Sequence, residues 1–179
     1  MNPRSALIAY FRDLAAWNTD IGHTTAAPHF FQGTEYQAII GKVSKPQNAG
    51  WNLIFAGYIT KGRDNGTAHW VDTALVVFQV IKQVPRNASD TDDLGAVYDA
   101  AYLIGEEIIR RIHQHVKDPC SAEVSDGITV PYHIDINSKR ATEVGPLFDN
   151  FHGYEFAVDI QMAETSPRAI DPTKWSDPT

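Results

Sequence analysis

Cysteine is all but missing from this chain. The single Cys120 among 179 residues excludes an intrachain disulfide framework, fits a reducing compartment, and reads as an inert thiol rather than a nucleophile. Positive charge is also scarce. Fifteen Lys and Arg face 22 Asp and Glu, giving a net charge of -7, which argues against broad affinity for nucleic acid, since that depends on neutralising phosphates. No stretch approaches the roughly 20 apolar residues of a membrane span, and the N-terminal segment after Arg4 is broken by Arg12 and Asp13 too early for a secretory signal. There are no internal repeats or low-complexity tracts. Catalytic signatures are missing too: there is no Gly-x-Ser-x-Gly elbow and no dinucleotide fingerprint, and Gly41-Lys42 lacks the preceding glycine and following Ser or Thr of a phosphate loop. The expectation is a protein soluble and cytoplasmic at synthesis, without enzymatic activity, catalytic residues, cofactor or metal.

What is present is clear strand and helix patterning. The segment from Gly127 to Met162 carries two alternating runs. Ile128, Val130, Tyr132, Ile134 and Ile136 form the apolar set of one, and Tyr154, Phe156, Val158, Ile160 and Met162 that of the other. Alternation gives each strand one face to bury and one facing water or a partner. Between them, Asn137 to Pro146 reads as a compact polar turn region. Pro131 cannot donate to a ladder, which puts its strand near an edge or at a bulge.

Two helices are expected. Pro3 at a first helical position, after Asn2 as a cap, precedes the stripe Leu7, Tyr10, Phe11, Leu14 and Trp17. Ser89, Asp90, Asp92 and Asp93 mark a second helix start, and Leu94, Val97, Tyr98, Ala101, Ile104, Ile108, Ile112 and Val116 form its apolar side before Pro119 forbids continuation. Glu106 and Arg110, and Glu107 and Arg111, are spaced for surface pairs. A hairpin is expected from Trp51–Thr60 and Ala74–Ile81, turning at Asp64-Asn65-Gly66, with the apolar run Leu75–Phe78 as a central strand covered on both faces. The irregular stretch Asn18–Gly50 holds one short apolar run, Tyr36–Val43, that suits a strand. The composition, 43% hydrophobic, supports one α+β domain over residues 1–162: a mixed, largely antiparallel sheet of about four to six strands with two main helices on one face. Residues 163–179, with three prolines and Trp175, read as a flexible tail that orders on a neighbour.

Each candidate for chemistry has a plainer reading. His113 and His115 are two apart, so on a helix they point away from each other, and a solvated helix end explains them better than a metal. His133 and Asp135 share a strand face, with His152 and Glu155 as possible neighbours. They suggest a metal or acid-base site, against the reading of a polar outer strand surface. In the Asp90–Asp93 run, Ala101 stands where a calcium loop would close with glutamate, so helix capping is the better account. Tryptophans 17, 51, 70 and 175 suit core or interface packing more than base stacking.

The order helix, long loop, strands ending in Val77-Phe78-Gln79-Val80-Ile81-Lys82, acid-capped helix Asp92–Val116 and the segment Ile134–Phe156 resembles small tail-associated proteins of tailed bacteriophages and prophages, of the tail terminator or head-to-tail joining type. The resemblance spans roughly residues 50–162 and carries over no catalytic residue. It implies a homo-oligomeric ring, a hexamer, acting in virion assembly on tail tube or head-tail connector proteins. DNA would pass through an acidic lumen without specific nucleic acid binding or contact with a membrane. Two other classes remain open: a small-molecule or lipid-binding module with an apolar pocket lined by Phe55, Phe78, Tyr132 and Phe156, and a metal-dependent enzyme using His133, Asp135 and His152.

Overall fold

The computed structural model describes residues 3–33, 50–64, 70–85, 91–117, 131–147 and 150–162. Among them are two helices, α1 (Pro3–Trp17) and α2 (Thr91–Lys117), and five strands: β1 (Phe30–Gln32), β2 (Asn52–Asp64), β3 (Trp70–Gln83), β4 (Pro131–Leu147) and β5 (Phe151–Met162). The strands form one sheet in the order β1-β2-β3-β5-β4. Only β1 runs parallel to its neighbour; the other pairs are antiparallel. The fold is thus α+β with a mixed, mostly antiparallel sheet. No helix among the described residues is long and apolar enough to cross a membrane.

The helices form because their apolar residues recur at the helical period, and they cover one face of the sheet. Leu7, Tyr10, Phe11 and Leu14 of α1 and Ala101, Ile104, Ile108 and Ile112 of α2 are all buried against Phe55, Phe78, Val80, Phe156 and Val158. α1 stops where Asn18 turns its side-chain oxygen back to accept from the amides of Asp20 and Ile21, and Gly22 adopts a positive φ of 59°. The rings of Phe78 and Phe156 stack at 5.2 Å, and Phe11 meets both Phe55 and Phe78 at 5.3 Å. Fit here is close: a Cβ on Gly105 of α2 would lie 2.0 Å from Cε2 of Phe156. Three of the rings proposed to line an apolar pocket therefore sit in one packed aromatic cluster; the side chain of Tyr132 lies outside what the structure describes.

Among the described residues, the opposite face is covered only at one end. There Phe31, Ile54, Ile81 and Phe151 form a second, smaller cluster with Val144 and Leu147 against it. Further along, Leu75, Val77 and Ala157 are half-buried and Ile59 is 58% exposed. The central place of β3 is as expected, but full cover on both faces holds only towards its end, from Gln79 to Ile81.

Three details depart from the sequence reading. The polar stretch Asn137–Pro146 is not a turn: β4 runs through it for 17 residues to Leu147, and β5 starts at Phe151. Its register slips between Asp135, opposite Asp159, and Arg140, opposite Ala157, so four residues bulge past Val158 alone. Ser138 holds the bulge, its hydroxyl donating to the Asp135 carbonyl at 2.7 Å and accepting from the Asp159 amide at 2.8 Å. Second, Glu106 does not pair with Arg110 but with Lys139 of β4, while Arg111 donates to Gln114 at 3.1 Å. Third, the Asn18–Gly50 stretch contributes β1 at Phe30–Gln32. The expected strand at Tyr36–Val43, the turn residues Asn65 and Gly66, the caps Ser89 and Asp90, Cys120, the strand start at Ile128 and Val130, and the tail from 163 all lie outside the described residues. Pro131 opens β4 on the sheet edge beside a register shift, where its missing N–H costs no ladder bond.

Candidate functional site

The four residues grouped from the sequence do not meet. His133 lies opposite Gln161 on β5, nine positions from His152, a separation of about 30 Å at the rise of an extended strand. His133 and Asp135 are exposed on the sheet edge. Glu155 points to the open face, where it accepts from Gln79 at 2.7 Å, while His152 is buried beneath α2. A shared metal or acid-base centre built from these residues is excluded by register alone. Among the described residues, no three His, Cys, Asp or Glu side chains converge as metal ligands do.

His152 instead belongs to a polar cluster that ties α2 to the hairpin end. Asn150, in the left-handed region at φ 62°, donates its side-chain amide to the Val84 carbonyl at 2.8 Å, and its backbone carbonyl accepts from the Val84 amide at 3.0 Å. Its side-chain oxygen is therefore an acceptor, so His152 donates from Nε2 at 3.1 Å. Nδ1 is left as an acceptor, and the Tyr98 hydroxyl of α2 donates to it at 3.0 Å. Gly145, at φ 137°, comes so near that a Cβ would lie 2.7 Å from that Nδ1. Tyr154 stands edge-on to Tyr98 at 6.2 Å and donates to Glu143 at 3.1 Å. Burial lowers the His152 pKa; burial and the nearby Glu143 carboxylate raise that of Tyr98. Both shifts favour the uncharged forms that the Tyr98 to His152 hydrogen bond needs, and the pair ties α2 to β5.

A second histidine is buried where the sequence suggested a solvated helix end. His115, near the end of α2, is fully buried, its Nδ1 2.8 Å from the hydroxyl of Tyr10 on α1 and its ring edge-on to Trp17 at 5.8 Å. Its Nε2 has no hydrogen-bond partner. Burial, then the Arg111 charge, lower its pKa. The helix-end explanation fails because α1 roofs this turn with Tyr10 and Trp17, a contact between residues 105 apart that no local pattern signals. A third, His23, follows α1; its Nδ1 accepts from the amides of His29 and Phe30 at 3.0 and 3.3 Å, and burial, with Arg12 and His29, lowers its pKa.

Beside the α1–α2 contact lies a surface pocket of about 300 Å³ lined by Leu14, Trp17, Asn18, Glu107, Ile108 and Arg111. Its apolar wall and two opposite charges suit a small amphipathic molecule. Trp51 packs on the main core with the Lys82 ammonium 5.4 Å over its ring; the side chain of Trp70, and Trp175, lie outside the described residues. No protein-family model, no curated protein and no solved structure matches this chain.

Proposed function

We propose that the chain is a non-catalytic assembly subunit of a phage or prophage tail, of tail terminator or head-to-tail joining type, that closes into a homo-oligomeric ring and ends in the virion. The observation that supports this reading is the unequal treatment of the two sheet faces. One is sealed by α1 and α2; the other, beyond the Phe31 cluster, leaves Ile59 58% exposed beside half-buried Leu75, Val77 and Ala157. Apolar area of this kind is what a neighbouring subunit covers at an interface. The net charge of -7 suits a lumen through which DNA slides without sticking. Light scattering over a wide concentration range and electron microscopy with tail tube protein test the reading. Rings and capped tubes are expected; a monomer at every concentration with tubes left uncapped overturns it.

A second reading, a small-molecule binder, draws on the Trp17 pocket rather than on the aromatic core. A Trp17 fluorescence change on titration with an amphipathic ligand set, lost in Trp17→Phe, would favour it. No change across the set would remove its support.

A further inference from the structure

We infer that the two Tyr–His pairs at either end of α2 form an acid-operated latch: a proton on each imidazole reverses its hydrogen bond and releases α2 from the sheet and from α1. The inference rests on hydrogen-bond direction and is independent of the ring proposal. At the first pair, Asn150 has only its oxygen to offer His152, because its amide is committed to the Val84 carbonyl. The imidazole must then accept from Tyr98 through Nδ1. A proton added at Nδ1 meets the tyrosine O–H head-on, and the contact survives only if the hydroxyl turns away. At the second pair, Tyr10 donating to His115 Nδ1 leaves a single unmatched group, Nε2–H, whereas the reverse arrangement would leave two. A proton there puts a cation into a fully buried site walled by Trp17.

Among the described residues, neither cation has a carboxylate within hydrogen-bond contact. Facing His152 are Tyr98 from α2, Lys82 directly opposite on β3, Gly145 from β4, and Asn150; Glu143 accepts from Tyr154 and its charge also acts on Tyr98. Facing His115 are Tyr10 and Trp17 from α1 and the like-charged Arg111 from its own helix. Asp13, one turn past Tyr10, has a buried carboxylate oxygen without a partner, and burial raises its pKa; it takes up its proton on folding and so acts with opposite sign, at more acid pH. The sign for the histidines follows from linkage. Their folded-state pKa values lie below the ordinary 6.5, so the stability they confer is complete above about pH 6.5 and is lost as pH falls below it, by up to about tenfold in the unfolding constant per pH unit for each histidine. His23, which accepts two backbone amides in the α1–β1 connection, adds in the same direction.

The test pairs urea unfolding between pH 7.5 and 5 with hydrogen exchange of α2 and ¹⁵N-histidine NMR on the full chain. Expected are Nε2–H tautomers at His115 and His152 at pH 7.5 and faster exchange of α2 amides at pH 5.5 after correction for the intrinsic rate. The linked proton number should fall by about two in the His115→Gln/His152→Gln double variant. If that variant does not fold, the wild-type spectra decide alone. Both imidazoles titrating near 6.5 with α2 protection unchanged would overturn the latch, as would a double variant with the wild-type pH slope.

Discussion

On the helix-covered face, Val76, Phe78, Phe156 and Val158 are sealed from water; one residue along the same strands, on the open face, Leu75, Val77 and Ala157 keep part of their surface exposed. The strands are shared, so the contrast isolates what covers them. The covered face carries the burial that holds the domain together, at roughly 25 cal/mol for each Å² of apolar surface removed from water. The open face contributes polar cross-strand ties, Gln79 to Glu155 at 2.7 Å and Gln161 to Thr73 at 3.2 Å, and leaves part of Ile59, Leu75, Val77 and Ala157 exposed.

Substitutions sharpen the contrast in graded steps. Phe156→Ala on the covered face, removing a ring stacked on Phe78, is expected to cost about 4 kcal/mol in urea unfolding. Gly153→Ala would break the simple rule. A Cβ there would lie 2.0 Å from the Val80 carbonyl, and backbone cannot step aside, so a loss of about 3 kcal/mol is expected although β5 turns this position to the open side. Gly105→Ala, pressing on the Phe156 ring, should cost about 2 kcal/mol. Glu155→Ala strips the Gln79 amide of this acceptor, with about 1 kcal/mol expected. Ile59→Asn should change stability by less than about 0.5 kcal/mol while lowering the scattering mass of any assembly. An unchanged assembly in that variant would locate its contacts elsewhere.

Much of the fold was legible because its signals are local. The stripe from Ala101 to Ile112 lies within one helix, and Pro131 announces an edge strand without reference to anything else. The misreadings share a different cause. Asn137–Glu143 has polar residues on both sides, since Lys139 reaches across to Glu106 and Tyr102 while Arg140 faces away with Ala157, so it shows no alternation and passes for a turn. His115 and His152 carry no sequence mark of burial. Their partners, Tyr10 and Tyr98, are 105 and 54 residues away, and only tertiary structure brings them together. Conversely, the His133-Ile134-Asp135 spacing was real but local, and register placed it far from His152.

The bulge at Ser138 has a consequence for how this chain tolerates changes of length. Between Asp135 and Arg140, β4 advances five residues while β5 advances two. The surplus is odd, so the strand emerges with its phase inverted: even-numbered Ile134 packs under the helices before it, and odd-numbered Ala141, opposite Phe156, shares that face after it. Deleting one residue from Ile136–Lys139 would make the surplus even, and since everything after it shifts by one, unbroken alternation keeps Arg140 and Thr142 on their present face. Deleting two would leave an ordinary one-residue bulge with the same faces. Both shortened strands should therefore keep α2 packed and melt cooperatively, as a thermal scan of both variants beside the unaltered chain would read directly.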